Sequence, residues 1–131
     1  MAKQTSGYRC WVQSHRGLVR PNNEDAFAVS PALVADELWQ GVIPAEGWVI
    51  IADGMGGHAA GQVASRLAVE CLRNLADLLR DEDGIEEAAE AVHSAIFAAM
   101  REDAMLAGMG TTVAGVVLRP DEALCFNVGD S

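Results

Sequence analysis

The segment Trp48-Val-Ile-Ile-Ala-Asp53-Gly54-Met-Gly-Gly-His-Ala-Ala-Gly61 constrains the fold of this chain more than any other. Five apolar residues run without interruption and stop at Asp53-Gly54; four glycines then fall within eight residues. An unbroken apolar run of strand length, closed by a turn signal, predicts a strand buried on both faces. A helical period takes over directly afterwards. From Gln62 to Arg80, Val63, Leu67, Ala68, Cys71, Leu72, Leu75, Leu78 and Leu79 recur at three-and-four spacing, and Asp81-Glu82-Asp83-Gly84 is expected to end that helix. A second helix is predicted from Ile85 to Leu106 through Ala88, Ala89, Val92, Ile96, Ala99 and Met100. Glu86 and Glu87 fall in its first turn, where negative charge suits the helix dipole.

Strands surround this centre. Arg9–His15 reads as one, Ala26–Val29 as a second ended by Ser30-Pro31, and residues 31–47 as a loop with a short element at Val34–Trp39. Thr111–Leu118, a turn at Arg119–Glu122 and Ala123–Val128 predict a hairpin. Strands, two helices and strands again give an α+β layer structure with helices on a sheet. At 131 residues the chain has room for one domain. It stops at Gly129-Asp-Ser131, directly after an apolar strand, which gives the expectation of an incomplete domain with open strand edges and exposed apolar surface.

Half of the residues are hydrophobic, which excludes general disorder. The formal net charge is −10 and it is uneven: residues 1–65 hold four basic and six acidic side chains, residues 66–131 five and thirteen. The acids of the second half are read first as the wet faces of its helices. Such a surface repels phosphate backbones and anionic lipid, so no nucleic-acid or membrane partner is expected, while divalent cations are attracted. Cys10, Cys71 and Cys125 are odd in number and lack CxxC spacing, so buried free thiols in a reducing cytosol are expected rather than disulfides or a zinc knuckle. The first residues lack a signal-peptide core and no apolar run approaches the roughly 18 residues of a membrane span, so the expected location is cytoplasmic.

Two chemistries compete at the glycine-rich segment. Gly54-Met-Gly56-Gly-His-Ala59 fits G-x-G-x-x-A between a strand and a helix, the setting of a dinucleotide fingerprint. Against it, Asp53 would face the pyrophosphate with a full negative charge, and no second strand with an acid follows the helix. Walker A fails for want of a Lys-Ser or Lys-Thr. The alternative is a site for a hard divalent cation, Mg²⁺ or Mn²⁺, which takes carboxylate, carbonyl and water oxygens. Asp53 offers a carboxylate at a strand end and Gly54 a carbonyl that no side chain covers. Glu24-Asp25 stand at the edge of another strand, and Arg20 nearby suits a bidentate grip on a phosphoryl group. Carboxylates with an arginine suit metal-assisted phosphoryl transfer.

Four ordered motifs then add up to a family. Ser14-His-Arg-Gly-Leu-Val-Arg20-Pro-Asn-Asn-Glu24-Asp25-Ala26-Phe27, Val49-Ile-Ile-Ala-Asp53-Gly54-Met-Gly-Gly57, Gly110-Thr-Thr112 and Asn127-Val-Gly-Asp130-Ser131 together resemble the bacterial PP2C-type (PPM) metal-dependent protein Ser/Thr phosphatases. The resemblance implies an α-β-β-α sandwich of two β-sheets flanked by helices, with residues 1–131 as the N-terminal portion of a single phosphatase domain. It implies that Asp53 bridges two catalytic Mn²⁺ or Mg²⁺ ions and that Gly54 lends a carbonyl to the second. Glu24 faces the second ion, directly or through water, and Asp25 supports the cluster. Arg20 matches the arginine that binds substrate phosphate, and Asp130 a ligand of a possible third, weaker ion. The implied reaction is in-line attack of a metal-activated water on phosphoserine or phosphothreonine in a protein, often the product of a Ser/Thr kinase of the same pathway.

Two departures bear on that reading. Eukaryotic members often carry a histidine where this chain has Met55; His58 stands three residues on, as a candidate general acid or as a residue that caps or orients the following helix. His15 is ambiguous and His93 reads as structural. Second, the family's chain runs to about twice this length and its later half supplies further metal-binding aspartates; nothing places Asp103, Asp121 or Glu122 in their stead. The chain alone is therefore expected to bind metal weakly and turn over little, and a non-catalytic binding module of the same fold is the alternative.

Overall fold

The strand at the centre of the molecule is the one the sequence marks most clearly. In a computed structural model that describes residues 7–131 except Ala32 and Asp36, with the backbone alone at Leu33–Ala35, the elements run β1 (Gly7–Gln13), β2 (Asp25–Val29), β3 (Leu33–Ala35), β4 (Leu38–Pro44), β5 (Trp48–Met55), α1 (Ala60–Asn74), α2 (Glu82–Glu102), β6 (Gly110–Leu118) and β7 (Ala123–Val128). Short 3-10 turns follow each helix at Ala76–Leu78 and Ala104–Leu106. The predicted start at Met1–Ser6 lies outside the described residues.

The strands form two sheets. Five lie in the order β3-β2-β5-β6-β7, and β1 and β4 make a separate pair. Every neighbouring pair is antiparallel. With β5 antiparallel to both β2 and β6, the strand–glycine–helix segment is not part of a parallel βαβ unit, and the dinucleotide reading falls with it. The two helices cover one face of the large sheet and the small sheet covers part of the other, as the α+β reading anticipates.

β5 corrects one expectation. Its residues alternate rather than being buried throughout: Trp48, Ile50, Ala52 and Gly54 are covered by the helices, whereas Ile51 is 49% exposed and Met55 65%. The reason is coverage. On the second face the small sheet packs over one end, where Phe27, Val29 and Ile43 form a cluster with Cys10, Val12, Trp39, Val49 and Leu118 against it. Ile51 lies outside that cluster, on the wall of an open cleft between the two sheets.

α1 sits on the sheet through its smallest residues. Ala60, Gly61, Ala64, Ala68, Val69 and Leu72 are buried at three-and-four spacing over Ala26, Ala28, Ile50 and Ala52. Alanines on both partners bring helix and sheet close, and each fully buried larger side chain such as Ile50 adds about 1.5–3 kcal/mol. The helix ends at Asn74, earlier than the Arg80 of its periodic pattern, because Ala76–Leu78 tightens into the 3-10 turn. The acidic cluster expected to close it instead opens α2: Asp81 is the N-cap, its carboxylate accepting the Gly84 N–H at 2.8 Å. Glu82 and Asp83, rather than Glu86 and Glu87, hold the dipole position.

Two further expectations change. The region read as a loop contains β3 and the seven-residue β4, which pairs with β1 along its whole length from Gly7↔Pro44 to Gln13↔Leu38. The cysteines are all free, as expected, yet none is fully buried, and Cys125 is exposed on β7, an edge strand of the large sheet. The hairpin of β6 and β7 forms as predicted. The outer face of β1 and β4 carries Trp11, Leu38 and Val42, each more than half exposed, and no helix among the described residues covers it.

Candidate metal and phosphate site

The register of β2 against β5 places Asp25 directly opposite Asp53. Opposed residues of an antiparallel pair point to the same face with Cβ atoms about 4.5–5.5 Å apart. The two acids that the sequence sets 28 positions apart thus become neighbours at one end of the large sheet, on the face away from the helices. Two carboxylates so placed repel each other unless a proton or a cation lies between them. The Asp25 carboxyl is accordingly pushed above its ordinary range, first by burial and then by the Asp53 charge and a hydrogen bond shared with Asp53. Ser14 and Arg20 pull in the opposite direction, Ser14 by a hydrogen bond and Arg20 by its charge.

A short polar network holds Asp25. Asn23 donates from Nδ2 to the Ser14 hydroxyl at 2.7 Å, and its Oδ1 accepts the Asp25 N–H at 3.0 Å, an Asx turn that sets the entry into β2. Ser14 follows β1, so this network ties the small sheet to the acid row. Ser14 and Asn23 were not picked out by role from the sequence; the Asn-x-Asp spacing ahead of an apolar strand is the signal that marks the second of them.

Glu24 approaches from the helix side. Its side chain is 17% exposed, and Arg20 Nη1 reaches its Oε2 at 3.2 Å. Arg20 itself is 71% exposed, so the pair is screened by solvent, worth no more than about 1 kcal/mol, and leaves most of the guanidinium open to an anion. The backbone of Glu24 accepts the Gly54 N–H at 3.1 Å. Gly54 has a packing reason to be glycine: a Cβ there would stand 1.9 Å from the Gly61 carbonyl oxygen. Gly61 in turn makes room for the Glu24 carboxylate, 2.9 Å from where its own Cβ would be. Paired glycines therefore let α1 press against the strand end from which Asp53 and the Gly54 carbonyl project.

A cleft of about 250 Å³ joins these groups, with Arg20, Glu24, Asp25 and Asp53 on its walls beside His15 and Asn23. A second cleft of about 370 Å³ continues between the sheets past Asp25, Asp53 and Ile51 to Ser131. The remaining candidates stand apart. Asp130 follows β7, exposed, and lines neither cleft, although Ser131 beside it touches Thr112, the register partner of Asp53. His58 is exposed and outside both clefts. It does not cap α1 either, since the N-cap is Ala59 and no side chain serves it. His58 and Ala59 both hold positive φ, 51° and 64°, a strained turn that carries the chain from the glycines into the helix. His15 accepts the Gly17 N–H at Nδ1, and His93 packs its ring 4.7 Å from Phe97 on α2.

All the converging donors are oxygens, the set that Mg²⁺ or Mn²⁺ takes. Asp25, Asp53 and Glu24 fit such a cation by chemistry, but in part only: among the described residues no three His, Cys, Asp or Glu side chains are gathered as a ready metal cluster.

Comparison with known proteins points the same way. The family model "Protein phosphatase 2C" matches residues 22–131. Serine/threonine protein phosphatase PstP of Mycobacterium tuberculosis is 37% identical over 137 residues, across 100% of this chain and 23% of that protein. Serine/threonine phosphatase stp of Listeria innocua is 32% identical, across 91% of this chain and 46% of that one. The crystal structure of the M. tuberculosis phosphatase matches 95% of this chain and 47% of its own with a TM-score of 0.68 at 35% identity. That of the PstP catalytic domain in complex with two manganese ions gives 0.69 at 33% identity, over 95% of this chain and 50% of its own. The chain spans half or less of the length of these relatives. It belongs to the protein phosphatase 2C family.

Proposed function

We propose that this chain carries the first part of a metal-dependent phosphatase site that hydrolyses phosphoserine and phosphothreonine in proteins. The observation that supports it most is the Asp25–Asp53 register pair, two carboxylates whose repulsion a proton or a cation between them relieves, with Arg20 at hand for an anion. When bound, a pair of Mn²⁺ or Mg²⁺ ions supplies an activated water at neutral pH and positive charge to offset the phosphoryl oxygens. Asp53 would hold the ions, with Asp25 beside it, and the Gly54 carbonyl and Glu24 would serve the second of them. Arg20 orients the phosphate by its guanidinium fork. Asp130 is the candidate for a third, weaker ion. With His58 outside the clefts, the proton for the departing seryl or threonyl oxygen comes from solvent in this reading. The partner is a phosphorylated protein, the product of a Ser/Thr kinase of the same pathway, and the setting is the cytoplasm, without nucleic acid; no helix among the described residues is long and apolar enough to cross a membrane.

The non-catalytic alternative draws on the incompleteness of the acid cluster. Three carboxylates and a carbonyl leave most of the six positions around each hard cation to water, which makes for weak binding. Hydrolysis of p-nitrophenyl phosphate with Mn²⁺, by this chain and by one extended to the relatives' length, separates the two. The extended chain is expected to turn over, to stop in EDTA, and to lose at least about a hundredfold on Asp53→Asn while staying folded. Absence of both hydrolysis and calorimetric Mn²⁺ binding in the extended chain would leave the binding module standing.

A further inference from the structure

The peptide unit between Asp53 and Gly54 separates two groups proposed above as ion ligands, the Asp53 carboxylate and the Gly54 carbonyl. Both of its polar atoms are held, one from each side. Its N–H donates to the Glu24 carbonyl, just ahead of β2, at 3.1 Å. Its carbonyl accepts the Thr111 hydroxyl of β6 at 3.0 Å, a proton that Thr111 shares with the Thr112 carbonyl at 2.8 Å. Thr111 stands opposite Gly54 in the β5–β6 register, on the helix-covered face, whereas Asp53 is opposite Asp25 and projects from the other. It lines a cavity of about 90 Å³ between α2 and the sheet, with Ile96, Val113 and Phe126.

We infer that Thr111 is a positioning residue for the metal site: its hydroxyl holds the Asp53–Gly54 peptide from the β6 side and thereby sets the directions of the Asp53 carboxylate and the Gly54 carbonyl. The inference rests on the phosphatase reading above. Its physical ground is a conflict at Gly54. Packing forbids a side chain there, since a Cβ would stand 1.9 Å from the Gly61 carbonyl oxygen. Glycine, however, has the widest choice of backbone angles, so the strand end that must aim two oxygens at one place is the end least restrained by its own residue. The peptide unit is planar, and hydrogen bonds to both its N–H and its C=O fix the orientation of the whole plane. Glu24 supplies one of those bonds from its main chain; Thr111 supplies the other from a β-branched side chain that is stiff at χ1. In this role Thr111 touches neither ion nor substrate and acts through the main chain. Removing a group one step behind a metal ligand commonly costs about ten- to a hundredfold in metal affinity or activity.

The test uses the full-length protein and two variants: Thr111→Val, which keeps the shape and removes the hydroxyl, and Thr111→Ser, which keeps the hydroxyl. Calorimetry with Mn²⁺ is expected to show affinity lowered about tenfold or more in Thr111→Val and restored to within about threefold in Thr111→Ser. A second readout needs no metal. In EDTA, the Gly54 N–H of Thr111→Val is expected to exchange with solvent at least about fivefold faster than in the wild type, while the Ile50 N–H stays within about twofold. Wild-type Mn²⁺ affinity in Thr111→Val overturns the inference, and so does an unchanged Gly54 exchange rate. A similar rise at every amide of β5 together with a lowered melting temperature also overturns it, by showing that the hydroxyl merely joins two strands. Failure of Thr111→Ser to restore affinity does the same, since the methyl group would then be what matters. A wild type that takes up no Mn²⁺ fails earlier, at the phosphatase reading itself.

Discussion

The two faces of the large sheet differ in what covers them, and β5 passes through both. On the helix face Trp48, Ile50 and Ala52 are nearly inaccessible under α1, and the glycines at 54 and 61 bring helix and strand to backbone contact. On the opposite face the same strand presents Ile51, half exposed, and Asp53, opposite a second carboxylate. One face has side chains that only packing can explain; the other has a charge pair that packing alone would disfavour. Packing and the proposed chemistry therefore fall on opposite faces of a single strand, and substitutions at successive positions should separate them.

The largest effect is expected where the helix face is tightest. Gly54→Ala would drive a methyl group to 1.9 Å from the Gly61 carbonyl oxygen, and backbone on both sides leaves little room to yield. A loss of more than about 3 kcal/mol is expected, seen as a large fall in urea midpoint or as failure to fold. A variant within about 1 kcal/mol of the wild type would mean that α1 can slide off the strand, and with it the explanation of this glycine by packing.

Next comes the direct contrast of neighbours. Ile50 has no accessible surface, so Ile50→Ala should cost about 2–5 kcal/mol through lost burial and a cavity under α1. Ile51 is half in water, and Ile51→Ala should cost under about 1 kcal/mol. Equilibrium denaturation of the two variants measures the ratio. Equal costs would show that the second face is covered in solution as thoroughly as the first.

That contrast also marks how far the sequence could be read. The hairpin of β6 and β7, the core of β2 and the start of β5 follow from local signals, apolar runs stopped by turn residues, and the structure keeps their bounds to within one residue. The exception is that β5 runs three residues past its expected end, through Asp53-Gly54 to Met55. β4 was hidden because its own residues argue against a strand: Gly41 lies inside it and Pro44 ends it. Gly41 is there to make room for the Trp39 ring, whose Cζ2 would meet a Cβ at 2.8 Å, and Gly115 in β6 does the same for Phe126. Such glycines record a contact between side chain and backbone that no period reveals. The one-sided cover of β5 was likewise out of reach, since the length of an apolar run does not tell how many strands lie opposite it. At the site, the residue types at Arg20, Glu24, Asp25 and Asp53 were legible. The opposition of Asp25 to Asp53 is a matter of strand register, and register is fixed by the Phe27 and Val29 side chains burying against the small sheet.

The smallest expected effect changes sign with conditions, which makes it the sharpest probe of the open face. In the metal-free protein Asp25→Asn removes a like charge from opposite Asp53, and should stabilise the fold by up to about 1 kcal/mol at pH 7. The pH dependence follows from the direction of the Asp25 shift. Its folded pKa is raised above the ordinary 3.8, so the native state holds the proton more tightly than the unfolded chain. That contribution is fully present below 3.8 and is lost as pH rises through the raised folded value. Melting curves in EDTA should therefore show the wild type losing ground to Asp25→Asn across that interval, with the two closest at the acid end. Millimolar Mn²⁺ should reverse the order at pH 7, because an ion seated between the carboxylates stabilises the wild type in proportion to its occupancy and the variant has given up one of its ligands. If the variant gains as much from Mn²⁺ as the wild type does, the pair is not where the cation binds. In that event the open face would owe its acids to solvation, like the wet sides of α2.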